Sequence, residues 1–270
     1  MLSILTKRNV RIAAFLILVL IGISYPCASS ADIQCDGQYG GHLQGIATDG
    51  KTAIFWSFTV ELVKTDINGG RIKSITVPTH HGDLVYHDGK VYVAVNLGLF
   101  NQEPGKADSW VYIYNADDLS LIAKHEVQEV VHGAGGMTYR DGRFFVVGGL
   151  PDSYDENYVY EYGMDFVFIG RHVVQSGHTR LGIQTACYGL NSFWFGCYGY
   201  PDNCALLKTD ITFKRVERLD THTSVGIDYM GGDRFLQGFT GSDPETKKYW
   251  GRARFIRFDS SRRGRFVRAE

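Results

Sequence analysis

His80-His-Gly-Asp-Leu84, a turn at Asp88-Gly89 and Lys90-Val-Tyr-Val-Ala-Val95 form the stretch whose reading decides the fold. A glycine-bearing apolar opening runs into an Asp-Gly turn, and alternating β-formers follow, which is the signature of an antiparallel hairpin. Trp110-Val-Tyr-Ile-Tyr114 continues as a third strand, and Ser120-Leu-Ile-Ala-Lys124 as a fourth after the turn at Asn115-Ala-Asp-Asp118. The same plan recurs along the chain. His42-Leu-Gln-Gly-Ile46, His132-Gly-Ala-Gly-Gly136, His178-Thr-Arg-Leu-Gly182 and His222-Thr-Ser-Val-Gly226 open comparable units, and successive histidines stand 38, 52, 46 and 44 residues apart. A period of ~40–50 residues is that of a four-stranded propeller blade.

No stretch after the N-terminal segment sustains a helical apolar stripe. The expectation is therefore an all-β chain, a single five-bladed β-propeller of four-stranded antiparallel blades covering residues 32–270. The arginine-rich end, Arg252 to Arg268, is expected to supply outer strands of the last blade. Composition agrees: 32 glycines and 36 aromatic residues among 270 suit a turn-rich, well-packed chain and exclude disorder. A formal net charge of −1 gives no electrostatic reason to expect nucleic acid as a partner.

Residues 1–31 read as a signal peptide. Lys7, Arg8 and Arg11 precede an apolar run from Ile12 to Ser24, and small residues follow at Ala28-Ser-Ser-Ala31. The run is shorter than the ~20 residues of a spanning helix. The expected location is thus secreted or periplasmic, with no membrane attachment after cleavage. Export permits disulfides, and Cys197 and Cys204 flank the turn Tyr200-Pro-Asp-Asn203, so a bridge there is expected, with buried free thiols as the alternative.

In a propeller the innermost strands line a central channel, so histidines opening all five blades are expected to meet at one mouth: His42, His80 or His81, His132, His178 and His222. Imidazole is the commonest neutral metal ligand and the side chain best suited to moving protons near neutral pH. His42, His81 and His222, with Gln184 and Asp228 at a shared offset in the last two blades, are candidate ligands for a divalent metal such as calcium, manganese or zinc. Asp83 is a further acidic candidate. His132, His178, Tyr139 and Arg180 are candidate catalytic residues, Arg180 being the cation able to pair with a substrate carboxylate. Loops after each second strand carry Trp56, Asn96 and Tyr198, which offer the stacking faces and hydrogen bonds that sugars use. No Walker loop, GxSxG elbow or HExxH motif is present.

His42-Leu-Gln-Gly-Ile46-Ala-Thr-Asp-Gly50 with Leu62-Val-Lys-Thr-Asp66-Ile-Asn-Gly-Gly70 resembles the first blade of glutamine-cyclotransferase-like five-bladed propellers. That resemblance implies the fold. The reaction does not follow, because the family's catalytic glutamate has no counterpart in any blade opening. In site chemistry the histidine-rich centre looks like that of secreted propeller polysaccharide lyases and rhamnosidase-like enzymes, which have more blades. The expected function is that of an exported carbohydrate-active enzyme: a polysaccharide lyase acting on uronic-acid-containing polysaccharide or oligosaccharide. A metal or Arg180 would neutralise the carboxylate, one histidine would take the proton, and a second histidine or Tyr139 would assist the leaving oxygen. The alternatives are a non-catalytic glycan- or protein-binding propeller and a metal-dependent lactonase-like hydrolase.

Overall fold

The computed structural model describes residues 32–199, 205–261 and 264–269. The expected signal segment and Cys204 therefore lie outside the described residues. The described chain contains no helix. Its first strand is β1 (Ile33–Gln34), after which four blades follow in chain order. Blade one holds β2 (Leu43–Thr48), β3 (Ala53–Phe58), β4 (Glu61–Asp66) and β5 (Arg71–Thr76). Blade two holds β6 (His81–His87), β7 (Lys90–Asn96), β8 (Ser109–Asn115) and β9 (Leu121–Glu126). Blade three holds β10 (Ala134–Arg140), β11 (Arg143–Gly148), β12 (Asn157–Tyr162) and β13 (Phe168–Val174). Blade four holds β14 (Arg180–Gly189), β15 (Ser192–Tyr198), β16 (Ala205–Thr209) and β17 (Val216–Leu219). Blade five closes the ring with β18 (Ile227–Gly231), β19 (Arg234–Ser242) and β20 (Tyr249–Asp259), then β21 (Arg265–Arg268). All pairings are antiparallel, which is the propeller read from the sequence.

The outer edge of blade five is assembled from both ends of the described chain. β1 pairs with the first half of β20 at Ile33↔Ala253, and β21 pairs with its second half from Ile256↔Arg268 to Asp259↔Arg265. Arg254 fastens this seam with two 2.7 Å bonds to the Asp32 carboxylate. The arginine-rich segment thus forms the outer strands expected of it, with the addition of a two-residue strand that no periodicity could announce.

Local chemistry explains the hairpins. Asp88-Gly89 and Asp141-Gly142 both take positive φ, as the tight turn into a right-twisted hairpin demands. The glycines of the blade openings answer a different need. The inner strands pack so closely around the axis that a Cβ at Gly82 would meet the Gly135 carbonyl oxygen at 2.3 Å, and one at Gly136 would meet that of Gln184 at 2.6 Å. Five apolar layers, one per blade interface, hold the ring. Phe55, Leu84 and Val93 pack between blades one and two, for example, and Trp194, Phe235 and Ile256 between blades four and five. Cys35, Cys187 and Cys197 are buried free thiols, and no disulfide joins described residues.

Candidate functional site

Each inner strand runs from one face of the ring to the other, so the blade-opening histidines do share a face. Their side chains diverge. Both His81 nitrogens are engaged, Nδ1 with the Pro78 carbonyl and Nε2 with the Tyr114 hydroxyl, each at 2.8 Å, and the ring lies buried edge-on to Tyr112 between blades. Burial pushes its pKa down to about 4, so it stays neutral. His132, also buried, uses Nδ1 to bind the Gln102 carbonyl at 2.8 Å and packs beside Tyr154 and Tyr158, pinning the loop that follows β7. His178 is exposed at the rim of blade four, with Nε2 3.1 Å from Asp152. Among the described residues, no group of three or more His, Cys, Asp or Glu side chains is placed to hold a metal ion.

Four sequence candidates do converge. His42, Arg180, Tyr198 and His222 line a cleft of about 680 Å³ where blades four and five meet the mouth of the channel. Phe239 and Trp250 complete its apolar wall. Burial lowers the pKa of both histidines, which favours neutral imidazole, and raises that of Tyr198, which keeps its phenol protonated. The Gln44 amide nitrogen sits 2.7 Å from His42 Nε2 and 3.0 Å from His80 Nε2. It therefore occupies the Nε2 lone pair of His42, whose proton then resides on Nδ1. His222 Nε2 instead faces the Ser224 hydroxyl at 3.1 Å, a group that can accept a proton as well as donate one.

The remaining candidates have other work. Trp56 is fully buried against blade five, with Nε1 donating to Thr65 Oγ1 at 2.9 Å. Asn96 is buried and caps the following loop, its Oδ1 accepting from Gly98 and Asp108. Tyr139 is the sixth residue of β10, carried about 17 Å down the strand to the far face, where it stacks on His87 and accepts the Gly142 amide. Gln184 donates to the Leu181 carbonyl within its own strand. Trp56→Phe should accordingly cost about 1–2 kcal/mol, the worth of its lost buried hydrogen bond. A denaturation curve would show this loss, with sugar binding unchanged.

Asp83 and Asp228 lie deeper in the channel. Asp83 is wholly buried and reaches across the ring, Oδ2 accepting from the Ala186 amide of blade four at 2.8 Å. It touches Gly45 and Gly136 as well, so its carboxyl fills the channel between blades one, three and four. Burial raises its pKa well above the ordinary carboxylate value. Asp228 accepts from the Thr48 amide at 2.8 Å, tying blade five to blade one, and from Tyr229 at 2.9 Å. Burial pushes it up to about 7. Both are structural ties of the ring. The repeat pattern of the sequence points to neither Trp250 nor Gln44. The i, i+2 spacing of His42 and Gln44, which puts both side chains on one strand face, was the available signal.

No protein-family model matches the chain, and no curated protein does. Solved structures match its fold. The GH43 BlXynB protein from Bacillus licheniformis superposes with a TM-score of 0.60 at 12% identity, over 86% of this chain and 57% of that one. A mutant of that protein gives 0.59 at 11% identity, over 84% and 55%. The WD40 repeats of RRP9 give 0.51 at 8% identity, over 89% and 83%. This chain spans little more than half the length of the GH43 proteins, and at such identities the likeness is one of fold.

Proposed function

We propose that the cleft between blades four and five binds uronic-acid-containing glycan and cleaves it by β-elimination, in a protein exported through its first 31 residues to a secreted or periplasmic location. One observation carries this reading: an exposed guanidinium, Arg180, shares a cleft with a half-buried imidazole, which its surroundings hold toward the neutral form, and a protonated phenol. Elimination needs those three functions. Arg180 would pair with the sugar carboxylate and stabilise the charge that develops on it. His222 would take the proton from the carbon bearing that carboxylate. The electron pair forms a double bond to the neighbouring carbon as its bond to the glycosidic oxygen breaks, and the Tyr198 phenol would protonate that oxygen. His42, carrying its proton on Nδ1, serves as a donor. Glycoside hydrolysis in its usual form places two carboxylates across the bond. The described lining residues supply none, although the GH43 neighbours support a sugar as ligand.

Incubating the protein with polyuronates tests this. Elimination yields an unsaturated sugar that absorbs in the ultraviolet; new reducing ends without that absorbance would mean hydrolysis, and binding without either would mean a binding module. Arg180→Ala is expected to lower kcat/KM roughly ten- to a hundredfold, the worth of one charge-assisted hydrogen-bond pair.

A further inference from the structure

The outer wall of the cleft carries more positive charge than a single sugar would need. β20 alternates, so Trp250, Arg252 and Arg254 face the same side. The Arg252 guanidinium lies 4.6 Å from the centre of the Trp250 ring, and that of Arg254 lies 4.7 Å from the centre of Phe239. Both rings line the cleft. The two arginines differ in their partners. Arg254 is bound twice by the Asp32 carboxylate, which Arg268 also approaches at 3.1 Å. Arg252 is exposed, and its Nε donates at 2.6 Å to the neutral side-chain oxygen of Gln34. A hydrogen bond to an amide orients a guanidinium without neutralising it, and the Asp32 carboxylate, already held by Arg254 and Arg268, reaches Arg252 only through its longer-range field. Arg252 is thus a pre-oriented cation at the outer lip, while Arg180 is the cation on the blade-four side.

We infer that the cleft reads a polymer and not a single sugar: Arg180 takes the acidic group of one residue, and Arg252, laid on Trp250, takes that of a neighbouring residue along the chain. The preferred ligand is therefore a glycan with acidic groups on successive sugars, which leaves the channel mouth radially between blades four and five. This rests on the functional reading above and adds the length and charge spacing of its substrate. A neutral or singly charged chain would leave the second guanidinium unpaired.

Calorimetric titration with galacturonate, guluronate and glucuronate oligomers of one to four units, and with methyl-esterified oligomers of equal length, tests the inference. In the responsive series, affinity should rise at least about tenfold between the monomer and the longer oligomers, the worth of one further charge-assisted contact. Esterification should abolish the rise. Arg252→Gln should remove the rise while leaving monomer affinity intact, and Arg252→Lys should restore part of it. Gln34→Ala guards against a merely structural effect: it deletes the anchoring bond but keeps the charge, and should retain most of the rise. Monomer binding that needs Arg180 but shows no length dependence would overturn this inference and leave the proposed function standing. Length dependence untouched by Arg252→Gln would likewise overturn it. Binding by none of the three series would remove both.

Discussion

His222→Ala is expected to slow elimination on uronate glycans by roughly two to four orders of magnitude, the usual contribution of a positioned general base. The loss should fall on kcat while KM stays near the parent value, since Arg180 still holds the carboxylate and proton abstraction occurs only in the transition state. The assignment follows from tautomers. Gln44 occupies the Nε2 lone pair of His42, whereas the Ser224 hydroxyl beside His222 Nε2 can accept a proton as well as donate one. Because burial lowers the pKa of His222, the base stays unprotonated below the ordinary imidazole value, and the rate should hold on mildly acidic substrate solutions before it falls. Steady-state kinetics on variants whose melting curves match the parent provide the check. A fully active His222→Ala beside an inactive His42→Ala would transfer the role to His42.

Asp228→Asn should gain stability over the parent by about 4 kcal/mol between pH 4 and pH 8. Asp228 holds its proton up to about 7 in the folded protein, against an ordinary value of 3.8. Between those values the native state binds the proton that the unfolded chain has released, so the parent loses stability as pH rises through that window. Asparagine does not ionise and avoids the loss. It also accepts only one of the two amides now bonded to the carboxylate, Thr48 and Tyr229, so it should be the weaker protein in acid and the stronger in alkali. Buried histidines pull the other way: His80 and His81, both lowered to about 4, favour folding as pH rises toward the ordinary imidazole value. The parent's own pH curve is therefore a compromise, and only the difference between variant and parent isolates Asp228. Urea melts of both proteins across that range measure it, and a pH-independent difference would refute the account.

The blades were legible because a hairpin needs few residues to announce itself. Asp88-Gly89 before an alternating run allows little else, and the glycines of the openings recorded the crowding around the axis. The site was only half legible. A repeat position fixes where a backbone sits, and the direction of its side chain is a separate matter. Near four of the five openings the pairing slips, between Leu43 and Gly45, His81 and Leu84, Ala134 and Gly136, and Arg180 and Ile183. Such bulges re-aim side chains. Hence His42 reaches the cleft, His81 turns into the gap between blades and His132 braces a loop, while His222 reaches the cleft from an opening that has no such slip. Trp56 misled for another reason: aromatic residues that could stack on sugar are also the best filler for a layer between two sheets, and its indole nitrogen had found Thr65 inside.

Blade five has a timetable as well as a shape. Its outer edge joins Ile33 to Ala253 and Arg268 to Ile256, so β1 finds its place only once β20 has been synthesised. Until then the emerging protein is an open arc, with the apolar faces of its first and fourth blades, Trp56 and Trp194 among them, lacking their eventual cover. Closure of the ring is consequently one step, in which blade five covers the exposed faces of blades one and four together.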